Sequence, residues 1–185
     1  MIGVLHRKDR PYWTQMEPTV REPFQLFTTE LDVVHGSAEA MKVIAVSKAP
    51  WVLLQDDVLL KKGWLKDLQN AEKKLNDPKL GLIAGIDVYH KPKPKRRGYV
   101  QWATAQVHYF TAAGLKAVEQ LVANPPPLTQ FWDSLVCRAM QLAGLTIYLL
   151  PKYVCEHIGT VSLAHPGKVR ERSERVLASE DLVQE

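Results

Sequence analysis

The chain has 185 residues, of which 46% are hydrophobic and 24% charged, a composition typical of a globular domain and not of a disordered segment. Its 24 Lys and Arg residues outnumber its 20 Asp and Glu residues, and the resulting charge of +4 favours anionic partners without specifying nucleic acid. No apolar run approaches the roughly 20 residues that cross a bilayer, and residues 1–13 lack a secretory pattern. With Cys137 and Cys155 forming no disulfide framework, we expect a cytoplasmic protein.

The first half of the chain alternates short apolar runs with amphipathic stretches. The apolar runs predict four strands, and the helical spacing of apolar residues predicts two helices among them. In chain order, these elements cover residues 1–6 (strand), 26–34 (strand), 38–48 (helix), 51–54 (strand), 63–76 (helix) and 80–86 (strand). The stretch between the first two strands is punctuated by proline, and we expect it to be irregular.

The second half continues the alternation after a basic loop at residues 87–98. Further elements are predicted at residues 99–110 (strand), 112–122 (helix), 130–142 (helix) and 146–150 (strand). Such a pattern predicts an α/β fold with a mainly parallel sheet, helices on both faces, and ligands at the carboxyl ends of the strands. We expect one domain over residues 1–168, followed by a charged helix or tail at 169–185.

Two adjacent aspartates, Asp56 and Asp57, directly follow the most apolar strand. Like charges repel, and burial disfavours ionised carboxylates, so the pair needs a compensating cation or hydrogen bonds. A divalent ion such as Mg²⁺ or Mn²⁺ is the simplest compensation, because it takes one or two protein carboxylates and completes its shell with phosphates and water. The alternative is that both residues cap the following turn or helix.

The segment from Trp51 to Val58, with Gly63-Trp64-Leu65 after it, resembles the metal-binding signature of GT-A fold nucleotide-sugar glycosyltransferases. In that family a hydrophobic strand runs into a DxD-like triplet, and the last acid holds a divalent cation that bridges the two donor phosphates. The resemblance assigns this metal-binding role to Asp57 and places Asp56 beside the ribose or sugar of the donor. Gln55 stands where the family often has a third acid.

A second part of the resemblance lies near the C-terminus. Leu150-Pro151, then the segment from Tyr153 to Gly159, and Ser162 are similar to the family's strand-end "P…HIG…S" segment. The resemblance implies that His157 is a metal or phosphate ligand, and a neutral imidazole is a suitable donor for such an ion. The alternative is a half-buried histidine that is hydrogen-bonded to the backbone.

The third part of the resemblance is Phe131-Trp132-Asp133, which is similar to the xED-type position of inverting GT-A enzymes. The resemblance implies that Asp133 is the catalytic base, accepting the proton of the acceptor hydroxyl as it attacks the anomeric carbon. The alternative is an acidic residue placed favourably near the positive end of a helix.

The donor is expected to meet residues after the first two strands. His6, Arg7 and Arg10 are candidates for contact with the diphosphate, and Asp32 and His35 for contact with the base or ribose. The alternative is that these side chains are ordinary solvated surface.

Together these features predict a metal-dependent glycosyltransferase that uses Mn²⁺ or Mg²⁺ and a nucleotide sugar, with UDP favoured. The sugar is transferred to an acceptor hydroxyl, and Asp133 favours an inverting reaction. The five basic residues of the loop have aromatic neighbours, which suits DNA, although a solvated loop or a glycan acceptor is also compatible. The basic residues are Lys91, Lys93, Lys95, Arg96 and Arg97. Small enzymes of this type resemble bacteriophage proteins that glycosylate hydroxymethylated DNA bases, which would place this chain in the host cytoplasm.

Two other function classes remain open. A sugar nucleotidyltransferase shares a sheet with acids at a strand end, but the residues after the first strand include no glycine-rich phosphate loop. A non-enzymatic module that binds nucleic acid or another polyanion would use the basic loop alone. Metal-dependent turnover distinguishes both enzymes from the binding module.

Overall fold

The computed structural model describes residues 1–8, 10–29, 33–87, 98–103, 106–124 and 132–158. Within these ranges the chain forms one sheet and five helices. The elements, in chain order, are β1 (Ile2–Arg7), α1 (Trp13–Val20), β2 (Phe24–Thr29), α2 (Val33–Ala45), β3 (Trp51–Gln55), β4 (Val58–Leu60), α3 (Trp64–Leu75), β5 (Leu80–Asp87), β6 (Gly98–Val100), β7 (Val107–Phe110), α4 (Ala112–Ala123), α5 (Trp132–Leu142) and β8 (Thr146–His157).

The strands lie in the order β2-β1-β3-β7-β5-β8-β4, with β6 also paired to β8. Strands β1, β2, β3, β5 and β8 run in one direction, while β4, β6 and β7 run against their neighbours. The prediction of a mixed, mainly parallel sheet is therefore confirmed. Because the five aligned strands end at the same edge, polar residues that follow β1, β3 and β8 can meet there.

The sheet is covered by helices on both faces, as the alternation of elements predicts. Along β3, Leu53 packs into a core formed with α2, α4 and α5, whereas Val52 and Leu54 pack into a second core formed with α1 and α3. All three side chains are at most 2% exposed. A strand buried on both faces is expected to be continuously apolar, and residues 51–54 of β3 are.

Helix α1 corrects the expectation of an irregular stretch between the first two strands. It contains Pro18, which cannot donate a backbone hydrogen bond and is normally unfavourable inside a helix. Met16 and Val20 are completely buried on this helix, on the core face that α1 shares with α3. Burial of these two side chains outweighs the cost of the proline, and burial could not be read from the local sequence.

Several predicted boundaries are also wrong. The second strand covers Phe24–Thr29 instead of 26–34, and α2 begins at Val33, so His35 lies inside the helix and not in a segment that precedes it. The strand predicted at 99–110 is two strands, β6 and β7. The last strand runs from Thr146 through Pro151 to His157 instead of ending at 150, and β4 was not predicted.

Some predicted features lie outside the described residues. They are the basic residues at 91–97, Asp32, Gly159, Ser162, and the charged end at 169–185, so the domain boundary at 168 stays a prediction. In the described part of the chain, no helix has both the length and the apolar character that crossing a membrane requires.

Candidate active site

Asp56 and Asp57 form the two-residue connection between β3 and β4, at the carboxyl edge of the sheet. Both are buried, with 1% and 3% of their surface exposed. They do not cap the next helix, because the residue that precedes α3 is Gly63, and α3 has no side-chain cap. The capping alternative is thus excluded for α3, and the two carboxylates have partners from other parts of the chain.

Asp56 is held by the end of β1. Its Oδ2 atom lies 3.0 Å from His6 Nδ1 and accepts a hydrogen bond of 2.9 Å from the backbone N–H of Arg7. Its Oδ1 atom accepts a hydrogen bond of 2.9 Å from Arg10 Nη1. Both carboxylate oxygens are therefore engaged within the protein, and the contact of Asp56 with the ribose or sugar of the donor stays a prediction.

Asp57 contacts the end of β8, where His157 lies 100 residues further along the chain. Its Oδ2 atom lies 3.0 Å from His157 Nε2, and its carbonyl accepts a hydrogen bond of 2.7 Å from the backbone N–H of Ile158. The register explains this contact, because β4 and β8 are antiparallel and Val58 pairs with His157. The structure thus brings together the two residues that the sequence resemblance assigns to a metal.

Arg10 supplies the positive charge between the aspartates. Its Nη1 atom lies 2.9 Å from Asp56 Oδ1 and 2.9 Å from Asp57 Oδ2. Burial lowers the pKa of Arg10, but the negative charges of Asp57 and Asp56 oppose this and hold the pKa above its ordinary value. The guanidinium therefore stays charged and stabilises two carboxylates that would otherwise repel each other in a buried position.

The donor set at Asp57 fits a hard divalent cation that takes few ligands from the protein. The carboxylate oxygen Oδ2 of Asp57 and the imidazole nitrogen Nε2 of His157 lie 3.0 Å apart. Mn²⁺ accepts both types of donor atom. Within the described residues, no three His, Cys, Asp or Glu side chains converge closely enough to enclose a metal ion. A cation here would complete its coordination with phosphate oxygens and water, as Mg²⁺ and Mn²⁺ commonly do.

Asp133 lies in the first turn of α5. This helix is followed, through Gly144, by β8, and it packs against that strand. Asp133 Oδ1 accepts a hydrogen bond of 2.7 Å from the backbone N–H of Ser134. Burial raises the pKa of Asp133, and the hydrogen bonds from Ser134 only partly oppose the shift. A higher pKa makes a carboxylate a stronger base.

The predicted contacts with the base or ribose of the donor fall on Asp32 and His35. Asp32 lies outside the described residues, and for His35 the structure describes the helical backbone but not the side chain.

Sequence reasoning missed two residues beside the site. The ring of Trp13, on the unpredicted helix α1, lies 5.4 Å from that of His6, so it helps to fix the imidazole that meets Asp56. Glu156 is fully buried next to His157. In the sequence, Trp13 and Glu156 are marked only by their proximity to His6 and His157. Proximity to a histidine is too general a signal to distinguish a site residue from a core residue.

Sequence comparisons give no match, either to protein family profiles or to curated proteins. Comparison with solved structures gives matches of low identity. A mannosyltransferase from Pyrobaculum calidifontis, in complex with GDP-Man and Mn²⁺, is 14% identical with a TM-score of 0.60; the match covers 85% of this chain and 56% of that one. This chain therefore spans just over half of that protein's length.

Two further structures match in the same way. A glycosyltransferase involved in the glycosylation of the major capsid of PBCV-1 is 11% identical with a TM-score of 0.55, and the match covers 88% of this chain and 95% of that one. TarS from S. aureus is 12% identical with a TM-score of 0.56, and the match covers 84% of this chain and 59% of the TarS chain. The predicted GT-A-like fold is therefore confirmed.

Proposed function

We propose that this protein is a metal-dependent glycosyltransferase that moves a sugar from a nucleotide-sugar donor, with UDP favoured, to an acceptor hydroxyl. The observation that carries the proposal is the meeting of Asp57 and His157, 3.0 Å apart, at the carboxyl edge of a GT-A-like sheet. That edge is where open α/β sheets bind their ligands. The solved neighbours named above include a mannosyltransferase with GDP-Man and Mn²⁺, which supports a nucleotide-sugar donor and a divalent ion.

Each residue of the site has a distinct role in this proposal. Asp57 and His157 would hold the divalent cation, which supplies positive charge for the diphosphate leaving group. Asp56 orients the turn, because its two oxygens are fixed by His6, Arg7 and Arg10. The basic side chains at the end of β1 and after it are proposed to contact the donor diphosphate.

Asp133 is the proposed catalytic base. Its partly buried place in the first turn of α5 and its raised pKa support proton acceptance from the acceptor hydroxyl as the oxygen attacks the anomeric carbon. Attack by an activated acceptor on the face opposite the leaving diphosphate inverts the anomeric configuration. We therefore propose an inverting reaction.

The experiment that tests the donor site needs no acceptor. UDP, GDP, their sugar conjugates and nucleoside triphosphates are titrated by calorimetry, each with and without Mn²⁺. Metal-dependent binding of one nucleoside diphosphate and its sugar conjugate supports the proposal. Binding of a triphosphate alone would favour a nucleotidyltransferase, and no binding of any of them would contradict both enzymatic functions.

DNA is the proposed acceptor, on the basis of the sequence alone. The basic residues Lys91, Lys93, Lys95, Arg96 and Arg97 suit a polyanion. If they contact several phosphates, the affinity for duplex DNA should fall steeply with salt, roughly tenfold or more between 50 and 200 mM. A flat salt response would contradict DNA as the acceptor and leave a glycan as the alternative.

A further inference from the structure

Arg10 contacts the carboxylate oxygen of Asp57 that also lies next to His157. Its Nη1 atom lies 2.9 Å from Asp57 Oδ2, and His157 Nε2 lies 3.0 Å from the same oxygen. The same guanidinium nitrogen also lies 2.9 Å from Asp56 Oδ1. A cation held by Asp57 and His157 would thus share its oxygen ligand with an arginine that is already in contact with it.

Arg10 is also the most solvent-exposed member of this group. Its side chain is 17% exposed, compared with 8% for His157, 4% for Asp57 and 2% for Asp56. Among these four side chains, Arg10 is therefore the one that solvent reaches most readily.

The charges make simultaneous occupation unfavourable. A divalent cation on Asp57 Oδ2 would lie next to a guanidinium that donates to the same oxygen, and like charges at this separation repel strongly in a partly buried site. Arg10 would have to leave Asp57 and would keep only Asp56 as an anionic partner, so a further anion would compensate for the lost contact. A diphosphate is well suited, because arginine pairs with phosphate oxygens through two parallel hydrogen bonds.

We propose that Arg10 competes with the metal ion for Asp57 and moves to the donor diphosphate when the metal binds. This inference rests on the proposed function. Arg10 then makes the binding of metal and nucleotide cooperative. Without nucleotide, the metal must break the contact between Arg10 and Asp57 while nothing replaces Asp57 as a partner of the guanidinium, so the metal binds weakly. With nucleotide, the displaced guanidinium gains the phosphates, and by linkage each ligand tightens the other by the same factor.

The test is the affinity of the protein for Mn²⁺ alone, measured by calorimetry and by the electron paramagnetic resonance signal of free Mn²⁺. It is repeated in the presence of UDP and of GDP. The variants are Arg10→Gln, which removes the competing charge, and Arg10→Lys, which keeps the charge on a differently shaped group. The control is Lys62→Gln, which removes an exposed positive charge just after β4.

We expect R10Q to bind Mn²⁺ alone about tenfold more tightly than the wild-type protein, and to lose most of the tightening that nucleotide causes, within the usual 5–150-fold range of such coupling. R10K should lie between wild type and R10Q, and it decides the outcome if R10Q does not fold. K62Q should bind Mn²⁺ like the wild type.

Two results would overturn the inference, and they differ in what they say of the proposed function. If the wild-type protein binds Mn²⁺ with nucleotide, but R10Q or a folded R10K binds Mn²⁺ alone no more tightly, the competition by Arg10 is refuted and the proposed function stands. If the wild-type protein binds neither Mn²⁺ nor any nucleotide, both are refuted.

Discussion

Asp57 is the residue on which the proposed chemistry depends most, because its carboxylate meets both His157 and Arg10. Asparagine at this position keeps the size of the side chain but removes its charge. We expect D57N to lower kcat by about 100-fold or more, in the range found when one electrostatic contact to a transition state is lost. Mn²⁺-dependent product formation measures this effect.

The D57N fold should persist, because Asp57 lies at a strand end outside both apolar cores and Arg10 keeps Asp56 as a partner. Circular dichroism checks this point. Glu119→Gln, an exposed change on α4, is the charge-matched control and should keep full turnover. Near-complete Mn²⁺-dependent activity in D57N would show that Asp57 does not bind the ion.

Asp133 gives a separate prediction, because a base and a metal ligand affect different measurements. We expect D133N to lower kcat by about 10²- to 10⁴-fold, the usual contribution of general base catalysis, while nucleotide affinity stays unchanged. Loss of nucleotide binding in D133N, or full turnover, would contradict this role.

The pH profile of the proposed activity in the wild-type protein tests the same residue. A base must be deprotonated to act, and burial raises the pKa of Asp133. Activity should therefore fall on the acidic side at a pH above the ordinary aspartate pKa of about 3.9. Values of kcat/KM measured across the acidic range locate this limb. D133N should lack it, and an unchanged limb in the residual activity of D133N would assign it to another group.

Among the secondary structure elements, α4 lies unusually close to β5. A Cβ atom on Gly114 would come within 2.0 Å of the carbonyl oxygen of Gly81, so only glycine permits this approach. Alanine normally stabilises a helix relative to glycine by about 0.5–1 kcal/mol. Here we expect G114A to reduce the free energy of unfolding by about 1–3 kcal/mol, as overpacking in a core does.

Urea denaturation measures this change. Ala113→Gly, one residue earlier in the same helix, is the control for helix propensity alone, and it should cost no more than about 1 kcal/mol. A stabilised G114A protein would mean that the distance between α4 and β5 can relax without loss of packing.

Helix α1 shows how an element can serve the site without belonging to it. Thr19 Oγ1 accepts a hydrogen bond of 3.1 Å from the backbone N–H of Leu60, which fixes β4 from the side away from its partner β8. At its other end, α1 presents Trp13 to His6. The helix thus supports β1, whose end contacts Asp56, and β4, which directly follows Asp57.

In the molecule as a whole, the candidate site joins segments that are far apart in sequence. The contacts of Asp56 and Asp57 link the end of β1, the turn after β3 and the end of β8. A ligand that binds this site in the native state alone must stabilise the entire fold. At about 100 times its dissociation constant, a ligand adds roughly 2.7 kcal/mol to the free energy of unfolding.

For a domain of this size, such a gain raises Tm by about 5–10 °C, since each kcal/mol shifts Tm by roughly 2–4 °C. We expect this shift from Mn²⁺ together with the nucleotide that calorimetry identifies, and a much smaller shift for D57N. Differential scanning calorimetry measures both. An equal shift in D57N would place the ligand elsewhere on the protein.

The sequence by itself determined the class of fold and the site's acidic centre. The apolar run of β3 and the helical spacing of apolar residues in α3 and α4 can be recognised in the local sequence. They predict the elements correctly because a strand or helix that buries a face needs apolar residues at those positions. Asp56 and Asp57 were visible because two acids after a buried strand are costly without compensation. His157 was visible through its motif.

Only the tertiary structure decided what compensates those acids. Arg10 bridges both, a contact that follows from the turn after β1 and the position of β3 next to β1. The pairing of β4 with the far end of β8 brings His157 to Asp57, and both strands were missed or shortened in the sequence-based prediction. Contacts between residues 46 to 100 positions apart depend on strand order and register, and these are set by packing of the whole sheet and not by any local pattern.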